Sequence, residues 1–184
     1  MQHIIEELKR RKRLGELCAD TPLSSVSKYD LAPLTTAQLA AAQQRLGFAL
    51  PELLRRIYTE VSNGGLGYSY GLMGLVGGML NEDRLDAVSQ YLRYREPRPK
   101  EKDWAWPKGL LPFGHLGCAM YHCVKCEDPA HPVLWFEPNP IEEGQSWNDA
   151  FIPFAPSLTL YFETWLAGRD LFEVFAPGAF DEQG

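Results

Sequence analysis

The stretch Leu50-Pro51-Glu52-Leu53-Leu54-Arg55-Arg56-Ile57-Tyr58, continuing through Val61 to Ser62-Asn63-Gly64-Gly65, decides the fold. Pro51 stands where a first helical turn tolerates proline, because that backbone N–H would have no intrahelical acceptor anyway. Leu53, Leu54, Ile57, Tyr58 and Val61 fall on one helical face, and Glu52, Arg55, Arg56 and Glu60 cover the other. This pattern predicts a helix buried along one side. Asn63-Gly64-Gly65 ends it, since these residues accept the positive φ that a C-cap needs.

Upstream, Ile4, Ile5 and Leu8 recur at helical spacing and predict a first helix over residues 2–14, stopping near Gly15. The run Lys9-Arg10-Arg11-Lys12-Arg13 could suggest nucleic-acid contact. Glu6 and Glu7 offer i,i+4 partners to Arg10 and Arg11, however, and no aromatics interleave to stack on bases. A solvated helix face is the reading adopted. Residues 19–33 read as a surface connection. A second helix opens at Thr35, where Thr35 and Gln38 form a capping box, carries Leu39, Ala42 and Leu46, and stops at Gly47.

Downstream, Gly71 to Gly78 suggests a short strand with close backbone packing. Asn81 is placed as the cap of a helix carrying Leu85, Val88 and Leu92. Residues 95–109 form a polar loop holding Trp104 and Trp106. Two apolar runs, Cys118 to Val124 and Val133 to Phe136, predict a hairpin with a longer loop. Ser157 caps a last helix with Leu158, Phe162, Trp165 and Leu166 inward, closed by Gly168. Eleven of the fourteen prolines lie from Pro97 onward, breaking the second half into short strands and turns. Early helices, central strands and a late helix describe an α+β fold.

At 184 residues, with 45% apolar and 23% charged residues, the chain fits one globular domain rather than a disordered or fibrous one. The longest uncharged apolar stretch, Gly64 to Leu80, holds seven glycines and three polar residues, so no membrane span is expected. Met1 to Arg13 lacks the apolar core of a signal peptide, and a cytoplasmic location is the expectation. The formal net charge is −6, but from Glu127 to Gly184 eleven acidic residues face only Arg169, giving −10. Such a segment repels nucleic-acid phosphates and steers a basic protein toward it.

Motifs for catalysis are missing. Gly65-Leu66-Gly67 begins like a dinucleotide fingerprint, but Tyr70 takes the third glycine position and the run follows a helix. No GxSxG elbow, HExxH pair or EF-hand loop occurs. Cys123 and Cys126 have zinc-knuckle spacing, with His131 and His115 as further candidate ligands. Against this, the run is strand-like; a strand sets residues 118 and 122 about 13 Å apart, and buried cysteine is common. A site would require the chain to turn at Cys126. Trp135 and Trp165 read as core. Trp104, Trp106 and Trp147 fall in loops, where large aromatics either bind a partner or cover the sheet.

The Leu50–Gly65 stretch resembles the N-terminal signature of the SUKH superfamily, which includes fungal cell-wall-assembly regulators and bacterial immunity proteins. Tyr70-Gly71-Leu72-Met73-Gly74-Leu75, Leu111-Pro112-Phe113-Gly114-His115-Leu116-Gly117-Cys118, the stretch through Cys123, and Pro132-Val133-Leu134 resemble its later motifs in order. The Ser157–Gly168 helix is similar to its closing helix. The likeness leaves residues 1–33 outside as a helix and connection and assigns residues 34–184 to the SUKH-like domain. It implies an α+β fold with a central, mainly antiparallel sheet flanked by helices, no enzymatic activity and no cofactor. Pro51, Asn63, Gly64, Gly65, Gly71 and Gly117 then read as fold determinants. The implied function is protein binding: an immunity protein that neutralises a cognate toxin, such as a basic nuclease domain, with no direct contact to nucleic acid or membrane. An intracellular scaffold or regulator is the alternative within the same superfamily, and a zinc-binding domain or enzyme is the alternative outside it. The residues assigned to the partner surface are Trp104, Trp106, Glu142, Glu143, Trp147 and Asp149.

Overall fold

The basic run of the first helix is where the fold closes on itself. The computed structural model describes residues 1–16 and 30–179, so most of the expected connection at residues 19–33 lies outside the described residues. Helix α1, Gln2–Leu14, ends at Gly15 in the left-handed conformation (φ 75°) and buries Ile4, Ile5 and Leu8 completely. Its cations are not simply solvated. The Lys12 ammonium donates to the Val61 carbonyl at 2.7 Å and to the Leu31 carbonyl at 3.1 Å. The Arg11 guanidinium donates to the Leu166 carbonyl at 2.8 Å and lies 4.7 Å from the centre of the Trp165 ring. Lys9 pairs with Glu60 at 3.2 Å, and Arg10 grips Glu7 at 2.8 Å. Two helix ends whose last carbonyls lack intrahelical donors are thereby capped by one helix.

Helix α2, Thr36–Leu46, has both halves of the expected capping box and stops at Gly47 with φ 79°. Pro51 occupies the N-cap of α3, Glu52–Arg56, which widens into a π-helical turn over Ile57–Val61. The Ser62 N–H reaches back to the Ile57 carbonyl at 3.0 Å, an i→i+5 bond that inserts one residue into the turn. All five apolar positions of this segment are buried.

Residues 66–86 depart from expectation. Only isolated bridge residues, Gly67 and Leu72, are strand-like, Leu72 pairing with Gly114, and the rest is a series of turns and bends. Asn63 organises them: its Oδ1 accepts from the Leu75 N–H at 2.8 Å and its Nδ2 donates to the Val76 carbonyl at 3.0 Å. A Cβ on Gly74 would sit 1.8 Å from the Gly77 carbonyl oxygen, so backbone contact, not a strand, explains the glycines. Asn81 does not cap the next helix. It closes the preceding turn by accepting from the Leu85 N–H, and Asp86 caps α4, Ala87–Tyr94. Leu92, placed inward by the sequence, is 36% exposed.

Four antiparallel strands follow in the order β1-β2-β3-β4: Leu110–Gly117, Met120–Lys125, Val133–Phe136 and Phe151–Ala155. The β2–β3 hairpin matches the expected one, but β2 begins only at Met120. Cys118 and Ala119 form a two-residue turn with φ 49° and 62°, not the start of a strand. The sheet has helices on both faces. Tyr121 meets Tyr94 of α4, whereas His122 meets Tyr161 of α5, Leu158–Leu166, and Phe172 of α6, Leu171–Phe175. In α5, Leu158 and Phe162 are buried as expected; Trp165 and Leu166 are only half-buried, because they face α1 at the edge of the core. No helix among the described residues is long and apolar enough to cross a membrane.

His122 is completely buried, with Nδ1 2.9 Å from the Tyr161 hydroxyl and its ring stacked on Phe154 at 4.4 Å. Its Nε2 has no hydrogen-bond partner among the described residues. Burial pushes its pKa from 6.5 down to about 3. Between those values the unfolded chain binds a proton that the folded chain refuses, so stability is lost as pH falls through this window. His122→Asn should therefore flatten the dependence of the urea midpoint on pH between 6.5 and 5, where most carboxylates remain ionised. A steeper dependence would contradict this account. Lys12→Met removes the donor from a helix-end carbonyl and should cost about 1–3 kcal/mol. Lys9→Met, which loses only surface pairs, should lower the midpoint less than Lys12→Met in the same denaturation measurement.

Candidate protein-binding surface

Helix α4 ends at Tyr94, and the loop that leaves it folds back over the sheet face carrying Tyr121 and Phe136. Trp106 anchors that loop. It is 1% exposed, stacks on Tyr94 at 4.4 Å, and its indole N–H donates to the Leu110 carbonyl at 2.7 Å. The expectation that Trp106 touches a partner is corrected by this burial. Its ring covers the sheet and supports the residues above it.

Trp104 and Trp147 are half-buried on top of this layer. The Trp104 indole N–H is shared between the Tyr94 and Glu96 carbonyls, each at 3.2 Å. Trp147 starts a short 3-10 turn, Trp147–Ala150, capped by Ser146. Its ring stands edge-on to Trp104 at 4.9 Å and lies parallel to Phe136 at 6.4 Å. A pocket of about 200 Å³ opens between these rings, with Arg93 and Arg98 on its rim. Arg93 is tied to Asp83 at 2.7 Å, and Arg98 lies 3.8 Å over the Trp104 ring.

Glu142, Glu143 and Asp149 are exposed on the segment that carries Trp147. The turn is pinned by the Gln145 N–H donating to the Glu142 carbonyl and by the Gln145 side chain accepting from the Glu142 N–H. None of the three carboxylates has an ion-pair partner among the described residues. Other acids of this half are engaged: Glu163 beside His3, Glu127 with Lys108, and Asp170 as the cap of α6 and acceptor of the Tyr68 hydroxyl. Residue type, loop placement and the local charge excess identify the tryptophans and acids in the sequence. None of these signals identifies Tyr94, Phe136, Arg93 or Arg98, which reach the pocket from a helix, a strand and a turn. No local pattern marks them.

The zinc constellation does not assemble. Cys123 lies within β2 opposite Pro112 and Leu134, and His115 sits on β1 opposite Tyr121, with its Nε2 against the Glu82 carboxylate. The chain does turn after Lys125, but Cys126 stays in the core and donates its backbone N–H to the Gly109 carbonyl. His131 adopts φ 48° in the hairpin loop, and its carbonyl accepts from the first N–H of α5. Burial raises both thiols, Cys126 to about 12. Among the described residues no three His, Cys, Asp or Glu side chains are placed to hold an ion.

Pro51, Asn63, Gly64, Gly65, Gly71 and Gly117, the motif residues read as fold determinants, do not line the pocket. Gly64 and Gly65 follow Asn63 into the turn region, where the Gly65 N–H donates to the Leu72 carbonyl. The Gly71 carbonyl accepts from the His115 N–H, and Gly117 ends β1 against the Tyr70 ring. A search of curated proteins finds no match. The family model described as SMI1 / KNR4 family (SUKH-1) matches residues 33–164. That span runs from α2 through the Asn63 turns and all four strands into α5, and on this match the chain belongs to the SMI1 / KNR4 family (SUKH-1).

Proposed function

We propose that the protein is a non-enzymatic, cytoplasmic binding module, and specifically an immunity protein that neutralises a basic toxin domain such as a nuclease. The observation that carries this reading is the pair of half-exposed tryptophans, Trp104 and Trp147, the latter on a segment whose three carboxylates form no ion pair among the described residues. Aromatic anchors supply most of the energy of a protein interface, and surrounding charges set the encounter rate and exclude wrong partners. Family membership supports a role in protein recognition. The superfamily's regulator-like members are the competing reading, and a toxin gene found beside this protein's gene would decide for immunity.

The test begins with affinity capture from the native cell and identification of the bound protein by mass spectrometry. Reversing Glu142, Glu143 and Asp149 to lysine should slow association with that protein about tenfold at low salt and leave dissociation nearly unchanged. Trp147→Ala should instead speed dissociation by roughly thirtyfold, as loss of an interface anchor does. Unchanged rates in both variants would remove this surface from the interface. A captured partner that is not toxic to cells lacking this protein would overturn the immunity role.

A further inference from the structure

The pocket between Trp104 and Trp147 has a more specific chemistry than the acidic segment beside it. At about 200 Å³ it falls below the roughly 300–1,000 Å³ of sites for small organic ligands, a size suited to one inserted side chain. Its walls are the rings of Tyr94, Phe136, Trp104 and Trp147. The Trp104 N–H is already committed to two backbone carbonyls, so this wall offers ring surface and no free donor. Rings in such surroundings prefer the edge-to-face contacts that already link Trp104 to Trp147.

The polar lining of the pocket is Asp83, Gln90, Arg93 and Arg98, two cations against one carboxylate. Arg93 is neutralised by Asp83 at 2.7 Å. Arg98 has only Glu101, whose two oxygens stand 3.4 and 3.5 Å from Nη1, well beyond the 2.7–2.9 Å typical of a charge-assisted bond. The guanidinium makes no other hydrogen bond among the described residues. Stacking on Trp104 at 3.8 Å holds its plane and leaves its edge donors available to a carboxylate. The segment from Arg93 to Lys108, the end of α4 and the loop that follows, carries six Lys/Arg and three Asp/Glu. Glu142, Glu143 and Asp149 are exposed on the segment that supplies Trp147 to the pocket.

Resting on the protein-binding reading above and refining it, we propose that this pocket takes an aromatic side chain of the partner flanked by a carboxylate, with the carboxylate closing on Arg98. The partner surface is therefore bipolar, acidic where it meets Arg98 and basic where it meets the Glu142–Asp149 segment. A uniformly basic partner would place a cation against Arg98 at the moment its anchor is buried.

The test needs no partner. The full chain is titrated with N-acetyl-L-phenylalanine and, separately, with its uncharged amide, following the indole N–H signals of Trp104 and Trp147 by NMR. The acid should saturate with a dissociation constant on the order of a millimolar, as expected for a fragment of this size. The amide should bind about tenfold more weakly, the loss expected for one charge-assisted contact. Arg98→Gln should abolish that difference, while Trp147→Ala should weaken both ligands. Equal binding of acid and amide, or shifts that do not saturate at these two indoles, would overturn the proposal. Saturation by adenosine monophosphate without saturation by the acid would also overturn it, in favour of a nucleotide site. A protein that captures its toxin through Glu142 and Trp147 yet ignores the acid defeats only this inference. Failure of the charge-reversal and Trp147 variants to affect the toxin defeats the broader reading.

Discussion

The buried amide of Asn63 is the constraint through which the helical half of the molecule is joined to the sheet. Four of its polar groups are used at once. The side chain holds Leu75 and Val76, the backbone carbonyl accepts from Met79, and the backbone N–H donates to Leu31. These bonds fold residues 64–79 into turns so tight that the Gly64 Cα faces the Leu72 carbonyl and Gly74 amide without room for a side chain. The folded turns then do two things. Met73 and Gly71 exchange backbone hydrogen bonds with Phe113 and His115, which seats β1. The Gly74 carbonyl accepts from the Ala87 N–H at 2.9 Å, which fixes the start of α4. A buried, fully used amide of this kind is costly to disturb, since each freed partner would remain unsatisfied in the core.

The binding surface inherits its geometry from that chain of contacts. Because α4 begins where Gly74 sets it, Tyr94 arrives two turns later beneath the loop, and Trp106 stacks upon it. Trp104 then rests on carbonyls of Tyr94 and Glu96, and Arg98 rests on Trp104. Each layer is positioned by the one below, so the half-exposed indoles enter an encounter with little rotamer freedom left to lose. Such preorganisation is what converts a small contact area into affinity.

Much of this was legible in the sequence, and the gaps have physical causes. Helices α1 and α2 were found to the residue because each is bounded by a glycine in the left-handed region, and α2 by a capping box as well. The π-helical turn after Arg56 was not, since one inserted residue leaves Ile57, Tyr58 and Val61 all buried and the helical pattern intact. Strands β1 and β4 contain Pro112, Gly114 and Pro153, and register shifts interrupt the pairing of both, so neither shows clean alternation. The turn at Cys118-Ala119 uses two residues with no preference for positive φ, and its strand-like composition conceals it. In the site, loop tryptophans were recognisable by type. Their division into a buried support, Trp106, and exposed anchors depends on Tyr94 and Phe136, which contact the loop only through the tertiary fold.

The charge pattern carries the same lesson in a sharper form. Five consecutive cations at residues 9–13 describe a basic patch, yet a helix turns successive side chains by about 100° and points them at different neighbours. Lys12 is aimed at the end of the π-helical turn, Arg11 at the end of α5, and Lys9 and Arg10 at carboxylates. Both capped ends meet α1, and α1 itself lies outside the stretch matched to the family. A polyanion would therefore have to compete with carbonyls that are already hydrogen-bonded to two of these cations, and removing the donors would leave helix termini unsatisfied. Conversely, Glu142, Glu143 and Asp149 are few but form no ion pair among the described residues, and they lie on the segment that carries Trp147. Their field acts outward, where Arg11 and Lys12 act inward, and that difference in direction outweighs the difference in number.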